Sequence, residues 1–158
     1  GEACKDIIGS IDGAHIKTLN TLHFDIVAFM RECGYLKCDD NQNRWQGEYQ
    51  KFGFKTRIII CSKSGIGDVT IALNNGKTLY IEGKKFKSGS GGEYPAMREA
   101  IGQLMTGCPD EANTIPVVAV PFNSKSFELS KKWSCNKRIQ NAGIHFMLVY
   151  PNGNIEFI

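Results

Sequence analysis

Apolar and polar positions alternate through the middle of the chain. Val69, Ile71 and Leu73 alternate around Thr70 before Asn74-Asn75-Gly76, and Leu79 and Ile81 alternate with Tyr80 and Glu82 after it. Two such segments around an Asn-Asn-Gly turn predict a β-hairpin. A three-residue turn with Gly76 in the left-handed region sets Leu73 opposite Lys77. Counting outward, Ile71 faces Leu79 and Val69 faces Ile81 on an apolar face, while Thr70 faces Tyr80 and Asp68 faces Glu82 on a polar one. A two-residue turn would put Val69, Ile71 and Leu73 on the face of Tyr80, Glu82 and Lys84, mixing apolar and charged groups, so the pattern selects the first register.

Other periodicities supply the frame. Leu19, Leu22, Ile26, Phe29 and Met30 recur at helical spacing, predicting a first helix over 18–33 with Gly34 as its C-terminal cap. Residues 1–17 read as a short helix or an arm. The polar and aromatic stretch 35–56 reads as a long loop whose aromatics either stack on nucleic acid or cover the sheet edge. Arg57–Cys61 is a core strand, and 63–67 the turn that delivers Asp68. Ser88-Gly89-Ser90-Gly91-Gly92 is a loop that closes over the active edge or a plain linker. Pro95 suits the first turn of a helix with an apolar stripe of Met97, Ile101, Leu104 and Met105. Residues 115–120, nearly all apolar, predict a central strand covered on both faces. A helix over 124–141, capped at Asn123 or Ser124, buries Phe127, Trp133 and Ile139 and turns Lys131, Lys132, Lys137 and Arg138 outward. Strands over 144–150 and 155–158 complete an α/β sandwich with a mixed sheet.

Composition narrows this picture only a little. A chain of 158 residues, 42% hydrophobic and 22% charged, suits one domain over 1–158 with a core that needs no staples. A net charge of +3 and a pI near 8.5 permit a nucleic-acid partner without demanding one. Six spread cysteines read as free thiols in a reducing cytoplasm. Cys33 and Cys38 could form half of a zinc site, but no second pair stands at ligand spacing. No apolar run suits a membrane span, and no signal peptide is visible.

The predicted register gives the hairpin its chemistry. Asp68, Glu82 and Lys84 share one face, because strand residues two apart point the same way. Two neighbouring carboxylates repel unless a cation joins them, and hard oxygens at this spacing suit Mg²⁺, with Mn²⁺ as a substitute. Such a metal lowers the pKa of bound water and stabilises charge developing at phosphorus. Lys84 would orient or deprotonate the attacking water, or neutralise that charge. Glu-x-Lys is common on solvated hairpins; the shared face, the Gly-rich loop and the helix and strand that follow give it weight.

An acid at a strand start followed by Glu-x-Lys on the next strand resembles the signature of the PD-(D/E)xK nuclease superfamily. Ser64-Gly65-Ile66-Gly67-Asp68 and Tyr80-Ile81-Glu82-Gly83-Lys84 are most similar to its virus-type replication-repair (VRR-NUC) branch, with Gly67 where that pattern often has proline. The resemblance implies a restriction-endonuclease-like α/β/α sandwich with a central mixed sheet and a Mg²⁺-dependent DNA endonuclease. It makes Asp68, Glu82 and the Gly83 carbonyl metal ligands and Lys84 the catalytic lysine. It places Gln103 on the following helix to position the water, with Glu99 in reserve, and allows an acid on the first helix, where Asp25 and Glu32 stand near His23. Arg57, Lys85, Lys87, Lys131 and Lys132 are candidate nucleic-acid contacts. The branch suggests branched or junction DNA, with restriction-type duplex cleavage or a non-catalytic binding module as alternatives. RNA stays open, because recognition of the 2′-hydroxyl leaves no short motif. So small a domain covers little duplex, and a homodimer would let it act on two strands.

Overall fold

The computed structural model describes residues 7–12, 17–18, 21–22, 24–39, 44–62, 67–86 and 91–158, with side chains from residue 24 onward. The chain divides into two units, Gly1–Thr78 and Leu79–Ile158.

In the first unit Asp25 decides where the helix begins. Its carboxylate accepts a hydrogen bond from the Ala28 N–H at 3.0 Å, so α1 runs Ile26–Glu32 and not from residue 18. Before it come strands β1 (Ile7–Asp12), β2 (Lys17–Thr18) and β3 (Thr21–Leu22). Residues 7–12, within the stretch expected as a short helix or an arm, and 17–18 and 21–22, at the expected start of the first helix, are strand, and the capping Asp25 sets the helix start after them. Gly34, at φ 81°, closes α1 in the left-handed region and donates its N–H to the Arg31 carbonyl, as expected.

The stretch expected as a loop instead contains an antiparallel pair, β4 (Tyr35–Lys37) and β5 (Gly47–Lys51), next to β6 (Arg57–Cys61). β7 (Val69–Ala72) completes the sheet in the order β7-β1-β6-β5-β4, where β1 and β6 run parallel and the other neighbours antiparallel. Ile26, Met30, Tyr49 and Ile60 form the buried core, with Trp45 and Tyr35 packed on it, and the Tyr49 hydroxyl donates to the Trp45 carbonyl at 2.7 Å. Of the aromatics in this stretch, Trp45 and Tyr49 serve the core while Phe52 and Phe54 are exposed. The turn after β7 has the expected three residues. The Leu73 N–H donates to the Lys77 carbonyl at 2.8 Å, and Gly76 has φ 83°.

The second unit takes up β8 (Thr78–Gly83) from Leu79 onward and continues through α2 (Glu93–Gly107), β9 (Thr114–Pro121), α3 (Ser124–Ser134), α4 (Lys137–Asn141), β10 (His145–Val149) and β11 (Ile155–Phe157). Its strands lie in the order β11-β10-β9-β8, with β9 parallel to β10 and β10 antiparallel to β11. Val117, Val118, Ala119 and Val120 are all buried, as a strand covered on both faces requires. α2 lays Met97, Ala100 and Leu104 on a core that includes Tyr80, Val118, Phe146 and Leu148. Met105, expected in that stripe, is exposed, because the buried positions shift by one to Ala100.

The single helix expected over 124–141 is broken. Cys135 ends α3 and Asn136 caps α4, accepting from the Arg138 N–H at 2.9 Å. An Asx cap inside the stretch interrupts a period that apolar counting carries through. At the start, Asn123, one of the two expected caps, forms a reciprocal capping box with Ser126. Ser126, Leu129 and Ser130 are the buried positions of α3, whereas Phe127 and Trp133 are half-buried. The chain is mixed α/β, and no helix of the described residues is long and apolar enough to cross a membrane.

Candidate functional site

β8 carries the candidate chemistry, since three consecutive buried residues, Tyr80, Ile81 and Glu82, occupy both of its faces. The Tyr80 face is therefore not the open polar face that alternation predicts. Tyr80 packs into the core with Met97 and Ala100 of α2, because its ring is mostly apolar surface. Glu82, two residues on, is only 7% exposed. A carboxylate so placed needs cationic or hydrogen-bonding partners.

Lys84 is one of those partners. Its ammonium lies 3.2 Å from Glu82 Oε1 and 3.1 Å from Glu99 Oε1 on α2, bridging the two acids. Burial alone would lower the pKa of Lys84, but the hydrogen bonds to Glu99 and Glu82, with the attraction of both charges, raise it above the ordinary lysine value. Its main-chain N–H donates to the Ala119 carbonyl at 2.9 Å, tying the lysine to the end of β9. Glu99 itself is largely exposed, so the bridge joins a buried acid to one near water.

The two α2 candidates fall in different surroundings. Glu99, the reserve, touches Lys84, whereas Gln103 is exposed one turn further along. Periodicity alone could not rank them, because residues four apart share a helix face.

Asp68 is half-buried in the first unit, directly before β7. Asp25 caps α1, and Glu32 is exposed on it. Lys87, His23 and Ser64-Gly65-Ile66 lie outside the described residues. Of the candidate nucleic-acid contacts, Arg57 pairs with Glu48 at 2.6 Å. Lys85, Lys131 and Lys132 are exposed, and the Lys131 ammonium lies 4.4 Å from the Phe127 ring centroid.

The donors at this end of β8 are the Glu82 carboxylate and the Gly83 main-chain carbonyl, hard oxygens of the kind Mg²⁺ accepts. Among the described residues no three His, Cys, Asp or Glu side chains gather to hold a metal. A Mg²⁺ site needs only one or two carboxylates, completed by water and phosphate. Cys33, Cys38, Cys61, Cys108 and Cys135 are free thiols.

Sequence patterns pass over the aromatic residues that follow the parallel strands. Phe122 follows β9 and Tyr150 follows β10, and their rings stack at 4.3 Å and 16°. The signal was present in principle, because the carboxyl ends of parallel strands are where α/β sheets place ligands.

Compared with known protein families, curated proteins and solved structures, the chain matches none of them.

Proposed function

We propose that the chain is a metal-dependent nuclease that hydrolyses phosphodiester bonds in DNA, on a restriction-endonuclease-like fold. The observation that carries the reading is the buried Glu82 joined to Lys84 across one intervening residue at the end of a strand, roofed by Glu99 of α2. Buried acid–lysine pairs beside a groove are often functional, because low dielectric strengthens each charge there. The Glu-x-Lys signature supports it.

Glu82 and the Gly83 carbonyl are the residues of this unit that would hold Mg²⁺ or Mn²⁺. A bound divalent ion would supply Lewis-acid polarisation of the phosphoryl oxygens and a more acidic water. Lys84, protonated between two carboxylates, donates hydrogen bonds to the attacking water or to a non-bridging phosphate oxygen and offsets the charge that develops. Glu99 holds the ammonium in place, and Gln103, one turn further on α2, is the candidate to orient the water. Lys85, Lys131 and Lys132 would meet backbone phosphates, and a second copy of the chain would let the enzyme act on both strands of a branched or junction DNA.

The ion pair itself favours a second reading, a nucleic-acid binding module in which Glu82, Lys84 and Glu99 only tie α2 to the sheet. The two readings separate in one assay. Supercoiled plasmid and a synthetic four-way junction are incubated with Mg²⁺, Mn²⁺ or EDTA, using the native protein, Glu82→Gln and Lys84→Met. Metal-dependent products that disappear in both variants establish the nuclease, and the better substrate decides between junction and duplex. DNA binding without cleavage under any metal condition would sink the enzymatic reading and leave the binding module.

A further inference from the structure

Lys84 also lines a groove of about 340 Å³ within the second unit. That volume is at the low end for small-molecule sites. Pro121, Phe122, Tyr150 and Pro151 form much of its apolar wall, Lys84 and Lys85 line it as well, and among the described residues no acidic side chain does.

The wall is built by the strands. β9 and β10 run parallel, so the residues after them emerge at the same edge, and the Phe122 N–H donates to the Val149 carbonyl at 2.9 Å. Phe122 stacks on Tyr150 and meets the Phe127 ring edge-on at 6.2 Å. The Tyr150 hydroxyl donates to Glu156 at 2.6 Å, which fixes its ring from the far end. Phe122 nevertheless remains 37% exposed, although its neighbours Val120 and Leu148 are almost wholly buried. A partly exposed aromatic ring packed against Tyr150 and Phe127, in a largely apolar groove that the exposed Lys85 also lines, complements a flat, uncharged ring that carries an anion.

We propose that this groove is a base-holding subsite, in which one unpaired nucleotide of a nucleic-acid strand stacks its base on Phe122 and sets its phosphate against Lys85. The proposal rests on the phosphodiester reading above, because Lys84, whose ammonium holds Glu82, also lines this groove. Every base has a π-face, so stacking of this kind tolerates any sequence. Within a duplex both faces of a base are already covered by its neighbours, so the subsite admits a nucleotide only where the strand is unpaired or splayed. It therefore adds a preference for local strand opening beside the bond that Lys84 serves.

The test uses a short single-stranded DNA carrying one 2-aminopurine, whose fluorescence falls on stacking, titrated in EDTA so that no hydrolysis is needed. The native protein quenches the probe. Phe122→Leu keeps an apolar side chain against Tyr150 and Phe127 but has no π-face; it binds about tenfold more weakly, with the quench lost. Phe122→Trp retains both. Thermal unfolding of Phe122→Leu near the native midpoint shows that the loss is not misfolding. No binding by the native protein, or an unchanged quench in Phe122→Leu, overturns the subsite. Cleavage with Mg²⁺, measured on the same proteins, keeps the two proposals apart. Stacking without cleavage leaves the subsite and removes the nuclease, whereas cleavage with an indifferent Phe122 does the reverse.

Discussion

The Lys84 ammonium lies 3.2 Å from the carboxylate of Glu82, a residue only 7% exposed. Removing either partner leaves the other charge poorly solvated, so each single change costs more than loss of the attraction alone. Lys84→Met should destabilise the protein by about 1–3 kcal/mol, and Glu82→Gln by a similar amount. The double variant should lose clearly less than the sum, because neither charge is then stranded. Urea unfolding of the four proteins measures this, and simple additivity would mean that the two side chains are uncoupled.

Tyr150 and Glu156 make a pH-dependent contact on the opposite side of the aromatic stack from Phe122. The hydrogen bond to Glu156, then burial, then repulsion of a phenolate by that carboxylate, raise the Tyr150 pKa above its ordinary value near 10. The folded state holds the proton more tightly than the unfolded chain. The resulting stability is fully present below about pH 10 and is lost as pH rises through the folded value. Tyr150→Phe cannot titrate there, so the stability difference between native protein and variant should shrink as pH rises above about 10. Urea midpoints across that range give the slope, and parallel curves would contradict the shift.

Much of this arrangement could be read from the chain. The turn at Asn74-Asn75-Gly76 was legible because a left-handed Gly and two alternating segments leave one sensible register, and the hydrogen bond from Leu73 to Lys77 has that register. The strand through Val117–Val120 and the Asn123 cap were legible for the same reason, that a local rule and the burial pattern agree. β5 was not, because Tyr49 is its only large buried side chain and Glu48, Gln50 and Lys51 look like loop. Nor was the break at Cys135-Asn136, where a cap inside the stretch beats an apolar period that continues past it.

The candidate site was legible as chemistry but not as surroundings. Glu-x-Lys names Glu82 and Lys84, yet no local pattern says that Tyr80 packs inward or that Glu99 reaches the lysine, since both depend on how α2 crosses β8. The groove beside Lys84 joins residues from three strand ends, far apart in the chain, and leaves no short motif.

Gly47 offers a stability prediction in the first unit. Its φ is 136°, and a Cβ there would collide with the Asp39 carboxylate, which accepts the Glu48 N–H at 3.0 Å. Gly47→Ala therefore combines backbone strain with displacement of Asp39. We expect a loss of about 2–3 kcal/mol. Gly53→Ala, also left-handed but with open space around its Cβ, should cost less. Paired thermal melts decide, and equal losses would show that the backbone angle alone is responsible.

Glu99 and Gln103 give the sharpest test of the proposed chemistry, because both are exposed on α2 and neither is needed by the core. Glu99 lies 3.1 Å from the Lys84 ammonium, on its solvent side, so an exposed pair of this kind adds about 0.5 kcal/mol or less to stability. Its value would instead be positional. Glu99→Gln removes the charge that holds the ammonium, and the lysine gains freedom to turn toward Glu82 alone. If Lys84 serves a phosphodiester, that freedom should lower the cleavage rate about tenfold with little change in substrate binding. Gln103→Ala should leave Lys84 where it is; a comparable loss of rate in that variant would locate the water-orienting group one turn further along α2. If Glu82, Lys84 and Glu99 are only a structural tie in a binding module, no cleavage is seen with any of the proteins, and Glu99→Gln shifts the urea midpoint alone.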